Sequence, residues 1–111
     1  MVFEMRGLAY YSCDFPREGP GAIFALEVMG APDAVATTLQ VQHRDLDEMA
    51  YEDVAGGKAE VLAVGAAAVC VADLKEMLRF RVTSDACHEG ETTNFRIPPP
   101  AWRPEGEASG R

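Results

Sequence analysis

The chain has 111 residues and a mass of 12.0 kDa, enough for one domain and too little for a second independent core. Hydrophobic residues make up 48% and charged residues 25%, which is a globular composition and not that of a disordered chain. Lys and Arg number 10 against 18 Asp and Glu, a net charge of −8. Nucleic acid and anionic membrane surfaces are therefore not expected partners, because both need a local surplus of basic groups.

Residues 1–21 read as an irregular N-terminal arm. Pro16, Gly19, Pro20 and Gly21 fall within six positions and interrupt any helix or central strand. The arm nevertheless carries Phe3, Leu8, Tyr10, Tyr11 and Phe15. A solvated tail has no use for that many large apolar groups, so the arm packs either on its own core, as a first edge strand plus a covering loop, or on another subunit; the first is the plainer reading. No apolar run of signal-peptide length follows a basic start, and export by that route is not expected.

Residues 22–29 alternate. Ala22, Phe24, Leu26 and Val28 are wholly apolar, while the opposite face holds the one charge, Glu27. That pattern is a strand with one buried face. Gly30, Pro32 and Asp33 then predict a turn. Residues 35–43 show the clearest period of two, with Val35, Thr37, Leu39, Val41 and His43 on one side. The two strands read together as a hairpin. Residues 44–54 form a polar connection into a short strand at 51–54, which Gly56-Gly57 ends. Residues 58–64 alternate again.

A strand continues to about residue 71, followed by one short helical turn at 73–76 with Asp73 as its N-cap. Cys70 lies in an apolar run and reads as a small core residue. In residues 78–83, Leu78, Phe80 and Val82 oppose Arg79, Arg81 and Thr83. A polar loop at 84–91 leads to the last strand, 92–97, with Thr93, Phe95 and Ile97 inward. Pro98, Pro99 and Pro100 impose an extended segment that Trp102 anchors, and the Pro-rich tail, 98–111, is expected to be partly disordered. The longest weakly polar stretch, 61–72, is too short to span a bilayer, which takes about 20 residues. Short strands between turn signals predict an all-β chain, an antiparallel sandwich or barrel; the expectation is a single antiparallel β-sandwich over 22–97, jelly-roll-like, flanked by the arm and the tail.

Motif chemistry is sparse. Asp45, Asp47, Glu48, Glu52 and Asp53 place five carboxylates in nine residues. Read as a calcium loop from Asp45, the required positions fall on Met49, Ala50 and Gly56, and all three fail. A solvated acidic loop is the expectation. Cys87-His88-Glu89 is a poor metal set, because adjacent residues on an extended chain point to opposite sides. An odd count of three cysteines, Cys13, Cys70 and Cys87, predicts free thiols. Phosphate-loop and serine-nucleophile motifs are missing. The chain is expected to be no enzyme and to use no metal or cofactor. Arg79 and Arg81 share a strand face and Arg96 points outward on the last strand. They either pair with the acidic loop or form a basic stripe that docks an acidic partner.

The middle of the chain supplies a resemblance. Thr38-Leu39-Gln40-Val41-Gln42-His43 leads into the acidic loop, then Tyr51-Glu52-Asp53-Val54, and later Leu74-Lys75-Glu76-Met77-Leu78-Arg79-Phe80-Arg81-Val82. This order of segments, over residues 22–97, resembles small β-sandwich cement or decoration proteins of tailed phages and prophages. His43-Arg44-Asp45 stands where that pattern has Ser-x-Asp. The resemblance implies a role and no active site: a structural virion protein, assembled in the host cytoplasm, that sits on the outside of the capsid. It would bind the major capsid protein and clamp neighbouring capsomers as a homo-oligomer, a trimer being one arrangement. The residues expected to make the contact are Phe3, Leu8, Tyr10, Tyr11, Phe15, Arg79, Arg81, Arg96 and Trp102. The alternatives are a tail or head–tail component, and a carbohydrate or cell-surface binding module.

Overall fold

A computed structural model describes residues 3–30, 35–84 and 94–103. Among these, every regular element is a strand: β1 (Phe3–Arg6), β2 (Ala9–Ser12), β3 (Phe15–Pro16), β4 (Gly21–Gly30), β5 (Ala36–Arg44), β6 (Glu52–Leu62), β7 (Gly65–Val71), β8 (Met77–Ser84), β9 (Asn94–Arg96) and β10 (Ala101–Arg103). They form two antiparallel sheets packed face to face. The six-stranded sheet runs β1-β2-β8-β5-β6, with β3 also on β8; the four-stranded sheet runs β10-β4-β7, with β9 also on β4. The all-β sandwich expected from the alternating pattern is the observed architecture.

The core sits between the sheets. Ala22, Phe24, Leu26 and Val28 from β4 meet Leu39 and Val41 from β5 and Leu78, Phe80 and Val82 from β8, all essentially inaccessible to water. Phe24 stands edge-on to Phe80, ring centroids 5.4 Å apart. These inward residues are the ones the alternation selects.

Several expectations are corrected. The first 21 residues are not an irregular arm, since three short strands lie in them. Gly7, at φ 61°, turns β1 onto β2, a backbone that glycine adopts without strain. β2 and β3 then lie end to end along one edge of β8. Where the chain leaves the ladder between them, the Ser12 hydroxyl accepts from the Phe80 N–H (2.8 Å) and donates to the Cys13 carbonyl. That side chain replaces the missing backbone partner.

β4 and β5 do not form a hairpin. β4 pairs with β7, β9 and β10, β5 pairs with β6 and β8, and the two lie in opposite sheets. Gly56-Gly57 does not end a strand but forms a bulge inside β6, with residues 54–57 opposite Val41. Gly56 takes φ 71°, and a Cβ on Gly57 would stand 3.0 Å from the Val54 side chain. The Gln40 amide, buried, donates to the carbonyls of Val41, Val54 and Gly57 and so satisfies the bulged backbone.

The helical turn at 73–76 is absent. Asp73 is left-handed (φ 56°) and the Leu74 N–H is donated to the Pro20 carbonyl, which seats Leu74 in the core. Cys70 is exposed on β7, because β7 lies at a sheet edge and only its inner face meets the core. The tail is strand over 101–103, where β10 pairs with Gly21, Ala22 and Ile23. Pro32, Asp33, the loop around Cys87-His88-Glu89, Thr93 and residues 104–111 lie outside the described residues.

Candidate partner-binding face

The residues expected to touch a partner divide into two groups. Phe3, Tyr10, Phe15 and Trp102 are partly buried against the protein's own core. Phe3 and Tyr10 pack edge-on to Phe95, with centroids 5.3 and 5.5 Å apart. Phe15 lies 5.1 Å from Phe80, and Trp102 lies 6.0 Å from Phe24. Leu8, at the β1–β2 turn, is exposed. The arginines do not form one stripe. Arg79 and Arg81 face outward on β8 of the six-stranded sheet, whereas Arg96 is on β9 of the other sheet and is paired with Glu27.

What the fold assembles instead is a row of alternating arginines and tyrosines across the outer face of the six-stranded sheet. Arg6 of β1 lies over the Tyr11 ring of β2 at 5.3 Å. Arg79 of β8 lies between two rings, 4.7 Å from Tyr11 and 4.3 Å from Tyr51. Arg44, at the end of β5, lies over the other side of the row, 5.3 Å from Tyr51. Each contact is a cation–π attraction of about 0.5–1 kcal/mol at an accessible site. None of them neutralises a charge.

Hydrogen bonds fix the row. Arg79 Nε donates to Gln42 Oε1 (2.8 Å), Gln42 Nε2 donates to Asp53 Oδ1 (2.9 Å), and Asp53 Oδ2 lies 3.8 Å from Arg81 Nη2. The acidic segment therefore takes Arg81, but Arg79 meets it only through a neutral amide. Arg44 Nη1 donates to the carbonyls of Asp45 and Glu48 and draws the segment 45–48 into a turn. Glu48 is committed elsewhere: Lys75 Nζ bridges Glu48 (2.8 Å) and Glu52 (2.6 Å). That ion pair and the Asp45 N–H hold the Glu48 carboxyl below its ordinary range, and the same two carboxylates hold Lys75 charged.

Beside the row lies an open cleft of about 480 Å³. Its walls are Arg6, Arg44, Arg79, Tyr51, Asp14 and Glu48, and Leu46 and Met49 form its rim. Leu46 is 64% and Met49 98% exposed. The Tyr51 hydroxyl is buried beside Asp14 and Arg44, with no hydrogen bond of ordinary geometry among the described residues. Burial, and then the neighbouring Asp14 carboxylate, raise its pKa, so it stays a neutral donor. Arg6 is paired with Glu4 (3.6 Å) and Glu48 with Lys75, which leaves Arg44 and Arg79 as the wall arginines without an ion pair among the described residues. The cleft carries both signs of charge in a chain of net charge −8.

Among the described residues no group of three or more His, Cys, Asp or Glu side chains is placed to hold a metal ion. His43 is buried under the face. Its Nδ1 accepts the Lys75 N–H (3.2 Å) and its Nε2 lies 3.5 Å from Glu52. Burial lowers its pKa, with Lys75 adding to that and Glu52, Asp45 and Glu48 opposing it.

Of this face, sequence reasoning named Tyr11, Arg79 and Arg81 as contact residues. Arg6, Arg44, Tyr51, Asp14, Leu46 and Met49 were not among them. Outward parity on β8 and β2 was the available signal, and it needed the β2–β8 register to be used. Comparison with protein-family models, with curated proteins and with solved structures gives no match.

Proposed function

We propose that the chain is a structural, non-catalytic virion protein that binds the outside of a phage capsid and cements neighbouring capsomers. Three things support this reading. The segments at 38–54 and 74–82 resemble those of capsid cement proteins. The fold is a small two-sheet sandwich. Its antiparallel pairs β5/β6, β4/β7 and β3/β8 nest one outside the next, an order that supports reading the sandwich as jelly-roll-like.

The observation that carries the proposal is the arginine–tyrosine row. Arg and Tyr are the residues most enriched where a protein interface draws its energy. Here they are held by the sheet, so little ordering entropy is lost when a partner arrives. The partner surface is acidic and brings apolar groups to Leu46 and Met49 on the rim. The major capsid protein of the same virus is the proposed partner, and Arg79 and Tyr11 are the proposed centre of contact.

Co-sedimentation with expanded capsid shells tests this. Saturable binding at a fixed ratio to the major capsid protein is the expected result. No binding well above micromolar concentration sinks it. Binding of only a few copies per particle favours the alternative, a tail or head–tail component. A cell-surface role is favoured by Tyr51 beside Asp14 in the open cleft, and a glycan array decides it.

A further inference from the structure

β6 and β7 each end a sheet, and they treat their open edges differently. β6 exposes Glu52, Asp53, Lys58 and Glu60 and is broken by its bulge, features that discourage pairing with another chain. β7 reads Gly-Ala-Ala-Ala-Val-Cys-Val, with no charge and no proline. Its register with β4 runs unbroken from Val28↔Gly65 to Ala22↔Val71, so it has no bulge. Among the described residues β4 is its only ladder neighbour. Every second residue of β7 therefore offers its N–H and C=O to the open side. Among the described residues β7 is the only charge-free strand longer than four residues, and the chain carries a net charge of −8.

We propose that β7 pairs with β7 of a second copy, antiparallel and across a two-fold axis, joining two four-stranded sheets into one. Self-complementarity selects a second copy as the occupant. Antiparallel pairing centred on Ala68 sets Ala68 against Ala68 and Ala66 against Cys70. These outward side chains are small and exposed, so they meet without clash. Charge points the same way. Two chains of −8 repel, and β7 itself places no charge in the paired ladder. Leu62 and Val64, 66% and 60% exposed at the β6–β7 turn, lie beside the seam and add apolar area to it. The paired segment is about 23 Å long at about 3.3 Å per residue. A two-fold strand pair builds a dimer and leaves the arginine–tyrosine row, on the other sheet, free.

The test is sedimentation equilibrium of the full chain, run beside Ala68→Lys and Ala66→Lys. Both replaced side chains are exposed, and far-UV circular dichroism reports whether each variant keeps its sheet content. At micromolar concentration the native chain is expected at twice its 12.0 kDa mass. Ala68→Lys, which opposes two ammonium groups across the axis, is expected at the monomer mass with an unchanged spectrum. Ala66→Lys, folded, should weaken the dimer at least tenfold. A native chain that is monomeric throughout overturns the proposal. So does a dimer that a folded Ala68→Lys leaves intact.

Discussion

Arg79 packs its guanidinium between two tyrosine rings and hydrogen-bonds to a neutral amide, so its charge remains available to a partner. Arg79→Gln should cost the fold only about 1 kcal/mol, the scale of the cation–π contacts it removes. Urea denaturation checks that figure. Thr37 is a different case: its hydroxyl is fully buried and has no hydrogen-bond partner among the described residues. Thr37→Val keeps the shape and removes the unsatisfied group, and should stabilise the chain by about 1 kcal/mol. A lower denaturation midpoint would show that the hydroxyl has a partner after all. His43 sets a pH dependence. Its folded pKa lies below its ordinary 6.5, so the unfolded chain binds the proton first as pH falls. Stability should therefore be flat above about pH 7 and decline as pH drops through the ordinary histidine value. Thermal melting of His43→Gln from pH 7.5 to 5.5 should lose most of that slope.

At the scale of elements, the N-terminal strands decide whether the first residues are an accessory or part of the fold. Deleting residues 1–15 removes β1, β2 and Phe15, and with them the cover over Phe80 and the Ser12 bond to its N–H. The deletion should give an unfolded or aggregating chain. A cooperative melt with native-like dichroism would return those residues to the status of a free arm. Gly57→Ala should cost about 1–3 kcal/mol, because the added methyl is pressed against Val54 and Val41 inside the bulge. β4, β5 and β8 were legible in the sequence because each has one apolar face against a mixed one. Their partners were not. Neighbours in sequence suggested a β4–β5 hairpin, but β5 is a central strand whose two hydrogen-bonding edges are taken by β6 and β8. The glycine pair looked like a strand end because a bulge and a turn use the same residue. The segment at 72–76 looked helical by propensity, which the Leu74 anchor overrides. β7 is apolar on both faces, so nothing in its period marked Cys70 as outward.

At the scale of the whole molecule, the two sheets have different outer faces. The six-stranded sheet presents arginine, tyrosine and an apolar cleft rim of Leu46 and Met49; the four-stranded sheet presents Ile23, Met29, the Glu27–Arg96 pair and the uncharged β7 edge. The candidate site was half legible. Parity placed Arg79 outward and composition singled out Tyr11, but only the register of the strands brings Arg6 and Arg44 to the same row. The division of labour predicts that salt weakens partner binding, since exposed charges act within a Debye length of about 10 Å at 0.1 M. The β7 pairing, uncharged, should respond little to salt. The most direct test of the account compares shell binding by Arg79→Gln and Arg96→Gln in one co-sedimentation series. Arg79→Gln should weaken binding by about tenfold or more, the equivalent of about 1.4 kcal/mol, while Arg96→Gln, on the opposite sheet, leaves it within about twofold. Equal losses for the two variants, or full binding by Arg79→Gln, would contradict the assignment of the arginine–tyrosine row as the partner face.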